Sequence, residues 1–184
     1  MSYVDFFLRL VLALGMVWFI LFFLTLIHEY GHVAASDALK LKAEKVVIGW
    51  PVVFHVTIGG LPHGFGLLPV VGYLKVRGMD KLPLVKCAFL AAAGPITSVL
   101  LGAVLLFFDW AYPSWLVGIA GHASLTLAAL NIVPLPPFDG WPVCKYVLSR
   151  FGINVQDSTQ QVLTFFGIAA VGLSILIIRN FGGL

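Results

Sequence analysis

His28-Glu29-Tyr30-Gly31-His32 combines residue types at a spacing that can do metal chemistry. On an α-helix, residues four apart share a face, so His28 and His32 can present ring nitrogens to one ion. Glu29 lies about 100° round the helix from His28 and still flanks that ion, where it can act as a base. The group ends a run from Leu10 to Ile27, 18 residues without a charge and long enough for most of a membrane-spanning helix. A carboxylate and two imidazoles are costly at membrane depth and need a compensating reason to be there. A hydrolytic zinc site is such a reason, but it normally takes three protein ligands and an open position, so a third ligand must come from elsewhere.

The elements that must position these residues are membrane elements. The 184-residue chain is 60% hydrophobic and only 10% charged, well above the apolar usage of a soluble domain. Four apolar runs stand out: Leu10–Ile27, Cys87–Phe108, Trp115–Val133 and Val162–Ile178. They predict spans at about 8–38, 84–108, 114–133 and 160–179 in one domain covering 1–184. The fold class expected is a membrane all-α bundle of about four transmembrane helices. Between the first and second spans, residues 46–78 hold short β-branched stretches, Val46–Ile48, Val52–Ile58 and Leu67–Val76, broken by Gly and Pro. They read as two to four short strands in hairpins. They are apolar for a loop, so they are expected to dip into the interface or line a cavity.

Basic residues orient the chain. Nine lie between spans one and two or three and four, from Lys40 to Lys86 with Lys145 and Arg150; only Arg9 and Arg179 lie on the other side. The positive-inside rule puts the nine in the cytoplasm and both termini outside a cell membrane. HEYGH then lies near the cytoplasmic end of the first span. The third span also runs inward and ends in Asn131-Ile132-Val133-Pro134-Leu135-Pro136-Pro137-Phe138-Asp139-Gly140, which brings an acid, Asp139, to the same layer. Ala93-Gly94-Pro95 enters the second span on this side too. Other candidates fit less well. His122 would lie roughly 14 Å further out and suits helix packing. His55 and His63 fall in the strand region, with a polar loop role as the default and a position over the metal in a resting state as the alternative; Asp109 is on the wrong side, and Asp37 is interfacial. Cys87 and Cys144 form no CxxC pair and read as small packing residues. The net charge of +3 is small, and nothing points to nucleic acid.

HEYGH in an apolar helix, then Gly72-Tyr73-Leu74-Lys75, Ala93-Gly94-Pro95, and Asn131 through Pro136, Asp139 and Gly140, resembles the site-2 protease family of intramembrane zinc metalloproteases. The resemblance extends from about residue 28 to 140. It implies one zinc ion held by His28, His32 and Asp139, with Glu29 as catalytic acid/base. It implies that Asn131 contacts the substrate backbone or the developing oxyanion, and that Gly72 and Tyr73 border the substrate path. Phe138 replaces the usual Leu, and Ser98 stands where Asn often follows Gly-Pro. No inserted or C-terminal regulatory domain is evident, so the likeness is to a minimal catalytic core. The substrates implied are single-pass or membrane-anchored proteins in the bilayer, with a regulatory membrane protein as a further partner. The alternative is a zinc-binding membrane protein without protease activity, either a transporter or an inactive relative.

Overall fold

The computed structural model describes residues 2–155; the expected span at 160–179 lies outside them. Helix α1 runs from Tyr3 to Ala38, strands β1 and β2 from Ala43 to Ile58 and Leu61 to Val76, and helices α2, α3 and α4 cover Leu84–Ala111, Trp115–Asn131 and Gly140–Arg150. Two helices, α1 and α2, are long and apolar enough to cross a membrane, while α3 is a shorter apolar helix of 17 residues. Helix α1 starts on a reciprocal cap: the Asp5 backbone N–H donates to Ser2 Oγ and the Ser2 backbone N–H to Asp5 Oδ2. It contains no breaker and continues unbroken through HEYGH, as the sequence predicts.

The segment after α1 differs from the short strands expected. It holds two strands of 16 residues in one antiparallel sheet. Each strand bends, so that residues 46–48 have two partners apiece. Val46 pairs with Leu74 and His63, Val47 with Tyr73 and Gly64, and Ile48 with Gly72 and Phe65. The numbers in the pairs 46/63, 47/64 and 48/65 rise together, so that local contact runs parallel, flanked by antiparallel contacts on both sides. Two glycines permit the bend. Gly49 takes φ +89°, and a Cβ at Gly66 would overlap the Gly49 backbone. At the sheet's base, Lys75 and Arg77 both donate to Glu44 at 3.1 Å and hold its carboxyl below the usual carboxylate range.

The apolar character of this sheet follows from where it lies. It runs along α1 from Tyr30 back to Trp18, about 18 Å of helix at 1.5 Å per residue. Trp18 Nε1–H donates to the Leu67 carbonyl, and Thr25 Oγ–H donates to the Pro69 carbonyl at 2.7 Å. Both carbonyls belong to the bent part of β2. Helix α1 thus supplies a side-chain donor to each of them. Trp50, Val53, Phe54, Leu68 and Val70 are exposed.

Small residues draw the helices together. A Cβ at Gly102 of α2 would lie 3.0 Å from the Gly121 carbonyl of α3 and against Leu125. Ser124 Oγ–H donates to the Ser98 carbonyl at 2.8 Å across the same seam. Beneath HEYGH, Ala35, Val76 and Leu90 form a buried cluster that joins α1, β2 and α2.

Candidate metal centre

His28, Glu29 and His32 are all buried on the inner face of α1. Each histidine is held by the nitrogen facing away from the site. His32 Nδ1 lies 2.8 Å from the Leu90 carbonyl, which can only accept, so Nδ1 carries the proton. His28 Nδ1 lies 2.9 Å from Ser98 Oγ. Both Nε2 atoms then face Asp139 Oδ2, at 3.0 Å from His28 and 3.3 Å from His32. In neutral His32, Nε2 offers only a lone pair, and it is aimed at a carboxylate oxygen. A cation between the three atoms resolves that opposition. The edge of a tetrahedron with metal–ligand bonds of about 2.0–2.1 Å is about 3.3 Å, close to the spacings seen.

Glu29 also brings a carboxylate oxygen within 4.8 Å of the ligand atoms of both histidines. Two acids therefore approach the same ion. Asp139 is within hydrogen-bonding distance of both rings, while Glu29 Oε2 is buried with no hydrogen-bond partner among the described residues. The geometry suits Asp139 as the third ligand and leaves Glu29 a free oxygen for another role. The donor set fits one tetrahedral ion with an open position.

Backbone proximity closes the site. A Cβ on Gly94 would collide with His32 Nε2 and lie 2.7 Å from His28 Nε2, so only glycine lets α2 come this near. A Cβ on Gly31 would meet Thr97 Oγ1 and lie 2.8 Å from the Ala93 carbonyl. The glycine in HEYGH thus sets the α1–α2 contact. Asp139 arrives through turns in which Leu135 N–H bonds the Val133 carbonyl and Phe138 N–H the Leu135 carbonyl. Gly140 packs directly on the Ile132 carbonyl. Asp139 takes the N-cap position of α4, yet its side chain makes no cap bond and turns to the histidines instead.

All seven site residues expected from the sequence border one cavity of about 650 Å³: His28, Glu29, His32, Gly72, Tyr73, Asn131 and Asp139. Gly72 sits directly on Glu29; a Cβ there would strike Oε1 and lie 2.8 Å from Cδ. Tyr73 lies under the Lys45 ammonium, 5.2 Å from ring centre to Nζ. One amide hydrogen of Asn131 is spent on the Leu127 carbonyl of its own helix, at 2.9 Å.

Three readings change. Ser98, a departure from the family pattern, has a definite polar role, because it holds His28. His122, for which an interhelical hydrogen bond is the other expectation beside packing, bonds through Nδ1 to the Gly118 carbonyl of its own helix at 2.8 Å and to no other helix among the described residues. His63 lies in the strand region as expected but has no polar loop role: it is buried in β2, 1% exposed, with Tyr30 O–H 2.8 Å from its Nε2. His55 is exposed on β1. The sequence marks Ser98 only as a departure from the family pattern and His63 only as a histidine in the strand region; it names neither one's partner.

A zinc metalloprotease of Methanocaldococcus jannaschii is 27% identical over 182 residues, which cover 90% of this chain and 47% of that protein. The chain therefore spans about half the length of that relative. A solved structure, the site-2 protease from Methanocaldococcus jannaschii, shares the fold with a TM-score of 0.63 at 19% identity, covering 98% of this chain and 80% of that one. The model of Peptidase family M50 matches residues 16–114, more than half of the sequence and the part that carries HEYGH, the sheet and α2. The chain belongs to peptidase family M50, the site-2 protease family that its motifs resemble.

Proposed function

We propose that this chain is an intramembrane zinc metalloendopeptidase that hydrolyses peptide bonds within or near the transmembrane segments of membrane-anchored proteins. It would act as a single domain with its site toward the cytoplasm. The observation that carries the reading is the convergence of two Nε2 lone pairs and one carboxylate oxygen, beside a buried Glu29 oxygen with no partner among the described residues. His28, His32 and Asp139 would hold the ion. Zinc held there supplies Lewis acidity, which acidifies a water to a pKa of about 7 and polarises a carbonyl.

The protein's own groups do the rest. Ser98 and the Leu90 carbonyl fix the two rings with Nε2 toward the site. Glu29 takes a proton from the attacking water at its free oxygen and passes it to the departing amine. Asn131, with one amide hydrogen still available, donates to the tetrahedral oxyanion. A substrate helix hides its carbonyls in its own hydrogen bonds and must unwind before it can react. An unwound segment can then pair with the edge of β2 around Val70–Tyr73, which passes Glu29.

Glu29→Gln removes the base and keeps the shape. Expected is zinc bound at one ion per chain with cleavage of a reconstituted single-span substrate abolished. Persistent cleavage would refute the mechanism. Stoichiometric zinc that survives His28→Ala would refute the ligand assignment.

A further inference from the structure

We propose that His63 is a positioning residue: through Tyr30, it registers the sheet against the metal helix, so that the β2 edge meets Glu29 at Gly72. The proposal rests on the proteolytic reading above for its effect on turnover, though not for its structural part.

His63 is the most completely enclosed ionisable side chain among the described residues, 1% exposed. Its Nδ1 lies 2.7 Å from the Leu61 carbonyl, which can only accept, so Nδ1 carries the proton. Nε2 is then an acceptor, and Tyr30 O–H donates to it at 2.8 Å. Tyr30 stands at the centre of HEYGH, directly after Glu29 and two residues before His32. One bond therefore joins the helix turn that bears the metal residues to the middle of the sheet.

The sheet carries that restraint sideways. In register, His63 faces Val46, and Val46 faces Leu74. The row two rungs on is Phe65, Ile48 and Gly72. Adjacent strands lie about 4.8 Å apart, so His63 is roughly 10 Å across the sheet from the β2 segment that passes Glu29. Val46 and Ile48 between them are fully buried, which makes the link stiff. Ring contacts brace the same row against α1: Tyr30 with His63 at 5.8 Å and Phe22 with Phe65 at 5.8 Å. Gly72 has no slack in this arrangement, because its Cα already rests on the Glu29 carboxylate. A slip of one residue would turn the opposite face of the strand to the site.

The restraint is a choice of polar group where an apolar one would pack. Phe at position 30 would retain the stacking and lose only the bond, so it isolates the proposed role. It also leaves a buried Nε2 without a donor, a penalty that the sheet can relieve only by moving.

The test uses the full chain in lipid vesicles with zinc. The probe is a synthetic single-span peptide, a Leu/Ala helix interrupted by one Gly-Pro pair and carrying donor and quencher dyes. Tyr30→Phe and His63→Ala are each expected to raise KM about tenfold, with kcat and bound zinc changed little. The double variant should do no worse than either single change, and His63→Gln, which keeps an acceptor and a donor, should recover most of the loss. Amide exchange across Val70–Val76 reads the registry without turnover and should quicken in Tyr30→Phe. Unchanged exchange, additive single effects or a loss confined to bound zinc would overturn the proposal. Faster exchange in a protein that cleaves nothing, wild type included, would refute the proteolytic reading and leave the registry standing.

Discussion

At the scale of the residue, orientation matters more than presence. A histidine binds metal through one nitrogen, and the other must be committed elsewhere for the ring to stay aimed. His32 uses a backbone carbonyl, which no side-chain substitution removes; His28 relies on Ser98. Ser98→Ala should therefore weaken zinc binding by about 10- to 100-fold in chelator competition. Ser98→Asn, which keeps a polar group, should lose less; unchanged affinity in the alanine variant would remove Ser98 from the site. Gly72→Ala tests the opposite side. Its new Cβ presses on Glu29, so kcat should fall by about 100-fold while bound zinc stays constant. HEYGH and Asp139 are legible in the sequence because charge and imidazole inside apolar runs need a reason. Ser98 and His63 are not legible, because their roles depend on which backbone lies opposite, and only the packed structure supplies that.

At the scale of the element, the sheet shows how far patterning reaches. Its β-branched and glycine-punctuated sequence announces strands, and the observed strands differ from expectation in length and in path. Short stretches separated by Gly49, Pro51 and Gly66 read as separate strands. In the structure those residues bend continuous strands that fold across one another. Periodicity reports which side of a strand is buried. It does not report that Val46 to Ile48 have neighbours on both edges. Helix α1 donates to two carbonyls of the bend, and the weight of that contact is testable. Thr25→Val is nearly isosteric and leaves the Pro69 carbonyl unpaired, at a cost of about 1–3 kcal/mol. A lower thermal midpoint and faster exchange in β2 are expected, with Thr25→Ser close to wild type. A Thr25→Val protein as stable as wild type would mean that the carbonyl finds another donor.

At the scale of the whole molecule, everything chemical gathers at one end. His28 and His32 lie in the last three turns of α1, Gly94 within the first three turns of α2, and Asn131 and Asp139 at and beyond the end of α3. That common level requires α1 and α3 to run one way and α2 the other. The proposed topology, drawn from the charge count, has this end facing the cytoplasm. Helix α2 has 28 residues, about 42 Å at 1.5 Å each, against a hydrocarbon core of about 30 Å. Its ends should therefore reach water on opposite faces. Lys81 precedes α2 in an exposed turn, and Tyr112, 76% exposed, follows it. With Cys87 and Cys144 replaced by serine, Lys81→Cys should react with a membrane-impermeant maleimide only from the cytoplasmic side, and Tyr112→Cys only from outside. Labelling of both from one face would mean that α2 does not cross. Labelling with the sides reversed would keep the bundle and invert it, placing the metal site at the outer surface and its substrates' cleavage points with it.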